Sequence, residues 1–97
     1  MYEIVVQEDA DDEIQAAAVF YESRQKGLGD LFLQEVEAGF IKIESFPLSW
    51  TILIGDIRTC LMRRFPHTIV YRVADERIFV IAVIHQRRKP FYWRDRL

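Results

Sequence analysis

The apolar positions of this chain keep two different periods, and the change from one to the other divides it into a helical first half and a stranded second half. Tyr2-Glu3-Ile4-Val5-Val6 predicts a short strand that stops where an acidic run begins. Ile14, Ala17, Ala18 and Tyr21 then recur at intervals of three and four, which predicts an amphipathic helix. Asp9 is placed to cap it, and Asp11, Asp12 and Glu13 put negative charge where the helix dipole is positive, so the acidic run reads as helix chemistry rather than a metal site. Gly27-Leu28-Gly29 breaks the period as a helix C-cap does, and Asp30 offers the next N-cap. Phe32, Val36, Phe40 and Ile43 line one face of a second helix that ends before Phe46-Pro47. Two helices with so short a link form an αα-hairpin whose apolar faces pack together and onto a sheet.

From Asp56 to Pro90 the pattern predicts a three-stranded meander of about Ile57–Arg64, Thr68–Ala74 and Arg77–Ile84. Pro66 removes a backbone donor between the first two strands, and Asp75-Glu76 sits between β-branched runs at the spacing of a tight hairpin. The middle strand alternates, with Ile69, Tyr71 and Val73 facing a core and Thr68, Val70 and Arg72 facing away. The last is apolar throughout from Ile78 to Ile84, which predicts a strand flanked on both edges and covered on at least one face; it is too short to span a bilayer. Leu48 to Gly55, with Ile52-Leu53-Ile54, is a candidate further strand. The Phe91-Tyr92-Trp93 tail is expected to fold back on the domain, because three consecutive exposed rings are unusual.

The 97 residues are enough for one domain, 1–97, with a single core, and 51% hydrophobic with 29% charged residues exclude a disordered chain. The solitary Cys60 excludes a disulfide scaffold and reads as a small residue in a strand. No signal-like apolar region follows Met1. The net charge of −2 conceals a division: residues 1–48 hold 11 Asp and Glu against 3 Lys and Arg, and residues 49–97 hold 4 against 10. A net −8 half followed by a net +6 half predicts a basic face suited to a polyanion or an acidic protein partner. The cations gather where the last strand ends, at His85, Arg87, Arg88 and Lys89.

The order strand, helix, helix, meander, with Arg64-Phe65-Pro66-His67, Val70-Tyr71-Arg72-Val73, Ile81-Ala82-Val83-Ile84-His85 and Arg87-Arg88-Lys89-Pro90, resembles the RelE/ParE superfamily of toxins from bacterial type II toxin–antitoxin systems, which includes plasmid stabilisation proteins. Gly27-Leu28-Gly29-Asp30-Leu31-Phe32 is similar to that family's interhelical turn, and Pro47 to its Pro after the second helix. The resemblance implies an α+β fold, an αα-hairpin on a small antiparallel sheet. It also implies a cytoplasmic, growth-inhibiting protein without a cofactor, neutralised by a cognate antitoxin and meeting DNA only through that antitoxin.

The superfamily has two mechanisms, and the resemblance leaves both open. ParE-like members inhibit DNA gyrase and are not known to need catalytic residues. RelE-like members cleave mRNA on the ribosome, and for that chemistry the matching residues are His85 as acid or base, Arg87 at the end of the last strand, Tyr92 in the tail and Arg64 among the cations. The Arg that RelE-like enzymes carry near Thr68 is absent, and the lysines of their preceding strand are represented at best by Arg58, Arg63 or Arg64. This departure favours the gyrase mechanism; a degenerate toxin that keeps only its antitoxin-binding surface is a third reading. The residues expected to meet antitoxin or target are Arg58, Arg63, Arg64, Arg87, Arg88, Lys89, Trp93 and Arg96.

Overall fold

The computed structural model describes residues 2–97. The chain runs β1 (Glu3–Val6), α1 (Glu8–Arg24), α2 (Leu28–Ser45), β2 (Thr51–Ile54), β3 (Ile57–Leu61), β4 (His67–Ala74) and β5 (Arg77–His85), and closes with a 3-10 helix at Tyr92–Arg96. The five strands form one sheet in the order β1-β5-β4-β3-β2. Every pairing is antiparallel except β1 with β5, which is parallel. The expected meander is therefore β3-β4-β5, with β1 and β2 added at its two edges. Asp75 and Glu76 join β4 to β5 with φ of 52° and 62°, the left-handed pair that a two-residue type I′ hairpin requires.

The helices cover one face of the sheet. Ile14, Phe32, Val36 and Ile43 meet Ile69, Tyr71, Ile78, Val80 and Val83 in a continuous buried cluster. Tyr71 is fully buried, as its face of the alternation predicts, and its hydroxyl donates to the Pro47 carbonyl at 2.6 Å. Burial pushes that phenol up to about 12, against the opposing influence of the Arg58 guanidinium. A second, smaller cluster lies on the opposite face, where Ile57, Val70, Ile81 and Ala82 are covered by Trp93. The expectation that the tail folds back is met, and it explains why β5 is apolar on both faces. A β-bulge adds to this: Val70 pairs with Ala82 but Tyr71 with Val80, so Ile81 is the extra residue.

The helix starts differ from expectation. Asp9 does not cap α1, whose N-cap residue is Gln7 without a side-chain bond. The reason lies in the sheet, because Gln7 N–H still donates to Val80 at 3.1 Å while its carbonyl already accepts from Asp11 at 2.9 Å, so the chain passes from ladder to helix without a gap. Asp30 does not cap α2 either, since that helix begins at Leu28 after Gly27, whose φ is 90°. The cap comes from α1: the Glu22 carboxylate accepts from Gly27 N–H at 2.9 and 3.1 Å and from Gly29 N–H at 3.0 Å, satisfying orphan donors where the dipole favours an anion. The predicted Gly break is real, but α1 has already ended at Arg24.

β3 also stops earlier than the Arg64 expected, at Leu61. Met62 and Phe65 turn inward, 6% and 7% exposed, while Arg63 and Arg64 turn out, so alternation ends and a loop forms instead. Met62 N–H donates to the His67 carbonyl at 2.9 Å across that loop, which starts β4 one residue before Thr68.

Candidate functional surface at the basic end of the sheet

β5 delivers its last residue, His85, opposite His67 of β4, and the backbone then turns sharply. Gln86 N–H donates to the Pro66 carbonyl at 2.8 Å and Arg88 N–H to the His85 carbonyl at 2.9 Å. The first of these bonds ties the turn after β5 to the loop before β4. Arg63 and Arg64 on one loop and Arg87, Arg88 and Lys89 on the other therefore share one end of the sheet. Arg87 and Lys89 are exposed and form no ion pair among the described residues.

The two histidines are held in different ways. His85 Nδ1 accepts from the Arg87 backbone N–H at 3.0 Å, so in the neutral ring the proton sits on Nε2. His67 is 6% exposed in a cage of Tyr21, Phe32 and Phe65, with its Nε2 bonded to the Tyr21 hydroxyl at 3.0 Å. Its Nδ1 is buried without a partner. Burial, reinforced by His85 with a ring centroid 5.3 Å away, lowers the His67 pKa to about 4, and the ring is neutral near pH 7.

The tail is fastened to α1. Glu13 accepts from the Tyr92 hydroxyl, from two guanidinium nitrogens of Arg96 at 2.9 and 3.1 Å, and from the Val83 backbone N–H at 3.1 Å. Arg96 also donates to the Ile81 carbonyl at 3.1 Å and pairs with Asp9 at 3.5 Å. The hydrogen bond to Glu13, opposed by burial, raises the pKa of Arg96 further. β1 stops pairing with β5 at Val80, so Glu13 and Arg96 bond the groups on β5 that lie beyond that pairing. Arg88 lies over the Tyr92 ring, 4.1 Å from its centroid.

Of the residues expected to form a functional set, the structure gathers Arg63, Arg64, Arg87, Arg88, Lys89 and His85 at this end. Four others are engaged internally: Arg58 donates to the Trp50 carbonyl at 2.8 Å, Trp93 is 2% exposed in the second cluster, and Tyr92 and Arg96 are bound to Glu13. Arg64 is 66% exposed and lies 3.5 Å from Glu35. Sequence reading missed Glu13 and Glu22 as tethers, and Glu35 and Lys42 as neighbours of the basic loop. Glu13 carries no local signal, because its partners lie 70 to 83 residues away. Chemically, the surface offers cations and hydrogen-bond donors, while its imidazole Nδ1 and its Glu13 carboxylate are already occupied.

On the face opposite the helices, a pocket of about 340 Å³ opens between Leu53, Thr59, Leu61, Thr68 and Arg88, with Trp93 at its floor. Beside it the sheet edge is apolar and uncovered: Leu48, Ile52 and Leu61 are 60%, 57% and 64% exposed.

Residues 4–90 match a family model described as the ParE toxin of a type II toxin–antitoxin system, parDE. No curated protein matches the chain in sequence. Among solved structures, the chromosomal ParDE system from P. aeruginosa matches with a TM-score of 0.66 at 14% identity, over 88% of this chain and 96% of that one. The intact E. coli RelBE toxin–antitoxin complex matches with 0.67 at 19% identity, over 91% and 100%. The isolated E. coli RelE toxin matches with 0.67 at 19% identity, over 98% and 95%. These similarities show a shared fold, two helices on a five-stranded sheet.

Proposed function

Since the chain belongs to the ParE toxin family of type II toxin–antitoxin systems, we propose that it acts as ParE-like toxins do, inhibiting DNA gyrase through surface contacts, and that a cognate antitoxin neutralises it. The observation that carries the choice of mechanism is the state of its acid–base groups. RNA cleavage through the 2′-hydroxyl needs a group free to take a proton and another to give one. His85 Nδ1 is already an acceptor for Arg87 N–H, the Tyr92 hydroxyl is committed to Glu13, and Glu13 serves four donors on three groups. The exposed cations and the apolar pocket beside them suit binding a macromolecule better than proton transfer.

The uncovered apolar edge at Leu48, Ile52 and Leu61, next to the basic loops, is the surface an antitoxin segment with apolar and acidic side chains would cover. At a hundredfold excess over its dissociation constant such a partner contributes roughly 2.7 kcal/mol of apparent stability. Thermal melts with and without the neighbouring gene's product are expected to show that rise, and an unchanged melting temperature argues against the partner.

Two assays on the wild-type protein test the mechanism: supercoiling by gyrase, expected to be inhibited, and mRNA cleavage on programmed ribosomes, expected to be absent. Arg87→Ala is expected to weaken inhibition gradually, by the one to few kcal/mol of a charge-assisted contact. Cleavage that His85→Gln abolishes would establish the RelE-like ribonuclease instead. Silence in both assays, with antitoxin binding intact, would leave a degenerate toxin.

A further inference from the structure

A second basic recess lies on the helix side of the sheet, apart from the pocket against Trp93. Glu35, Ala38 and Lys42 stand three and four residues apart on α2 and face Arg63 and Arg64 of the loop between β3 and β4 across a cleft of about 440 Å³. Ala38 is the smallest of the five and leaves the floor open. Lys42 is half-buried, and its ammonium is near enough to Cys60 beneath the cleft to oppose the rise that burial imposes on that thiol. It has no ion-pair partner among the described residues. Glu35 meets Arg64 at Nε, 3.5 Å away, a long contact, and the Arg64 guanidinium forms no hydrogen bond among the described residues. Three cations thus converge on one recess with one weakly engaged carboxylate.

We infer that this cleft binds the phosphodiester backbone of a nucleic acid strand. The lining decides between the two polyanions that a basic recess takes. Protein–protein interfaces place aromatic and apolar side chains at their centre and keep charge at the rim. This cleft is lined by no aromatic ring and no apolar side chain larger than Ala38. The exposed apolar side chains at the end of α2, Ile41 and Phe46, are not part of its lining, and others lie at the β2 edge and on α1. Charged groups without an apolar centre match contacts that position a phosphate backbone and carry no sequence information. The hydrogen bond between Gln86 and Pro66 holds Arg87, Arg88 and Lys89 beside Arg63 and Arg64, so a strand leaving the cleft meets further cations around the end of the sheet. The chain as a whole carries −2, so general attraction to a polyanion does not account for binding there. The inference does not depend on whether gyrase or the ribosome is the target.

The test is fluorescence anisotropy of labelled single strands of about 12 nucleotides, RNA and DNA in parallel, titrated with the purified full chain over a range of salt. Binding is expected for both, weakening as salt rises. The double variant Lys42→Gln, Arg63→Gln is expected to lower affinity roughly tenfold and to reduce the slope of log K against log salt by about 0.7 for each phosphate no longer neutralised. Glu35→Gln removes the one repelling carboxylate and is expected to tighten binding, a gain that loss of fold cannot imitate. The inference is overturned if the wild-type chain does not bind, if either variant keeps wild-type affinity and slope, or if Glu35→Gln binds more weakly. It is also overturned if a Glu-rich peptide occupies Lys42 and Arg63 in preference to the oligonucleotide, which would assign the cleft to a protein partner.

Discussion

Glu13 and Arg96 are 83 residues apart in the chain, and the carboxylate of one receives two nitrogens of the other at 2.9 and 3.1 Å. With side-chain exposures of 17% and 18%, the pair is screened from water on most sides. It joins the sixth residue of α1 to the closing 3-10 helix and bonds two backbone groups of β5 on the way. Glu13→Gln keeps an acceptor but loses the charge, and is expected to destabilise by roughly 1.5–3 kcal/mol, the range for hydrogen bonds to charged groups. Urea unfolding of the purified variant measures it, and a midpoint equal to wild type would show the tail to be held by Trp93 alone.

Gly29 lies where α2 packs against α1. A Cβ there meets the Ala18 carbonyl oxygen at 2.6 Å and the Glu22 side chain at 3.0 Å. The first of these is backbone and cannot rotate away, so Gly29→Ala is expected to separate the helices, loosen the Glu22 cap and cost about 1–3 kcal/mol. Gly55→Ala has open space around it but a φ of 55°, and is expected to cost only the roughly 1 kcal/mol of left-handed backbone. Thermal melts of the two variants side by side would show the order, and equal losses would count against the close helix contact.

His67 gives the fold a pH dependence. Its ordinary pKa of 6.5 falls to about 4 in the folded chain, so the unfolded chain takes up a proton first as pH drops. The stability this neutral ring contributes is fully present above about pH 6.5 and is lost on the way down to about pH 4, a loss on the order of 3 kcal/mol across the window. His67→Gln is expected to flatten that part of a plot of stability against pH. A variant whose slope between those pH values matches wild type would place the titration elsewhere.

Tyr71 separates packing from hydrogen bonding. Tyr71→Phe leaves the Pro47 carbonyl without its donor and is expected to cost about 1–3 kcal/mol, whereas Tyr71→Ala also opens a cavity under α2 and is expected to cost about 3–5. Denaturation of both variants resolves the two contributions. Equal costs would mean that the hydroxyl contributes nothing.

What the sequence made legible follows from the range of each interaction. The helical face of Phe32, Val36 and Ile43, the core side of the alternation through Tyr71 and the Asp75-Glu76 turn all have causes within a few residues, and each stands as read. Val70, read as facing away from a core, is instead fully buried under Trp93, which folds back from far along the chain. The helix starts were misplaced because their caps are not local: Glu22 reaches forward to Gly27 and Gly29, and Val80 holds Gln7 from across the sheet. At the functional surface, composition located the cations but not their engagements. Arg63 and Arg87 share a row of basic residues with Arg58 and Arg96, yet the first two face water and the last two are bonded inside the fold. Only the partners distinguish them: Trp50 is eight residues from Arg58, across the β2–β3 hairpin, and Glu13 is 83 residues from Arg96.

The extra residue at Ile81 acts on everything after it, because a strand counts its sides in twos. Up to Val80 the even-numbered side chains of β5 point to the helices; past the bulge the odd ones do, and Val83 and His85 inherit that side. In a regular ladder His85 would emerge on the tail's side of the sheet, away from His67, and Ala82 would take Val83's place in the core. The side on which the basic end emerges is thus set four residues upstream of His85, at Ile81 in an apolar stretch. A relative lacking one residue between Val80 and Val83 would present the same motif in mirror phase, with its imidazole over Trp93, and would be a different surface under an almost identical sequence.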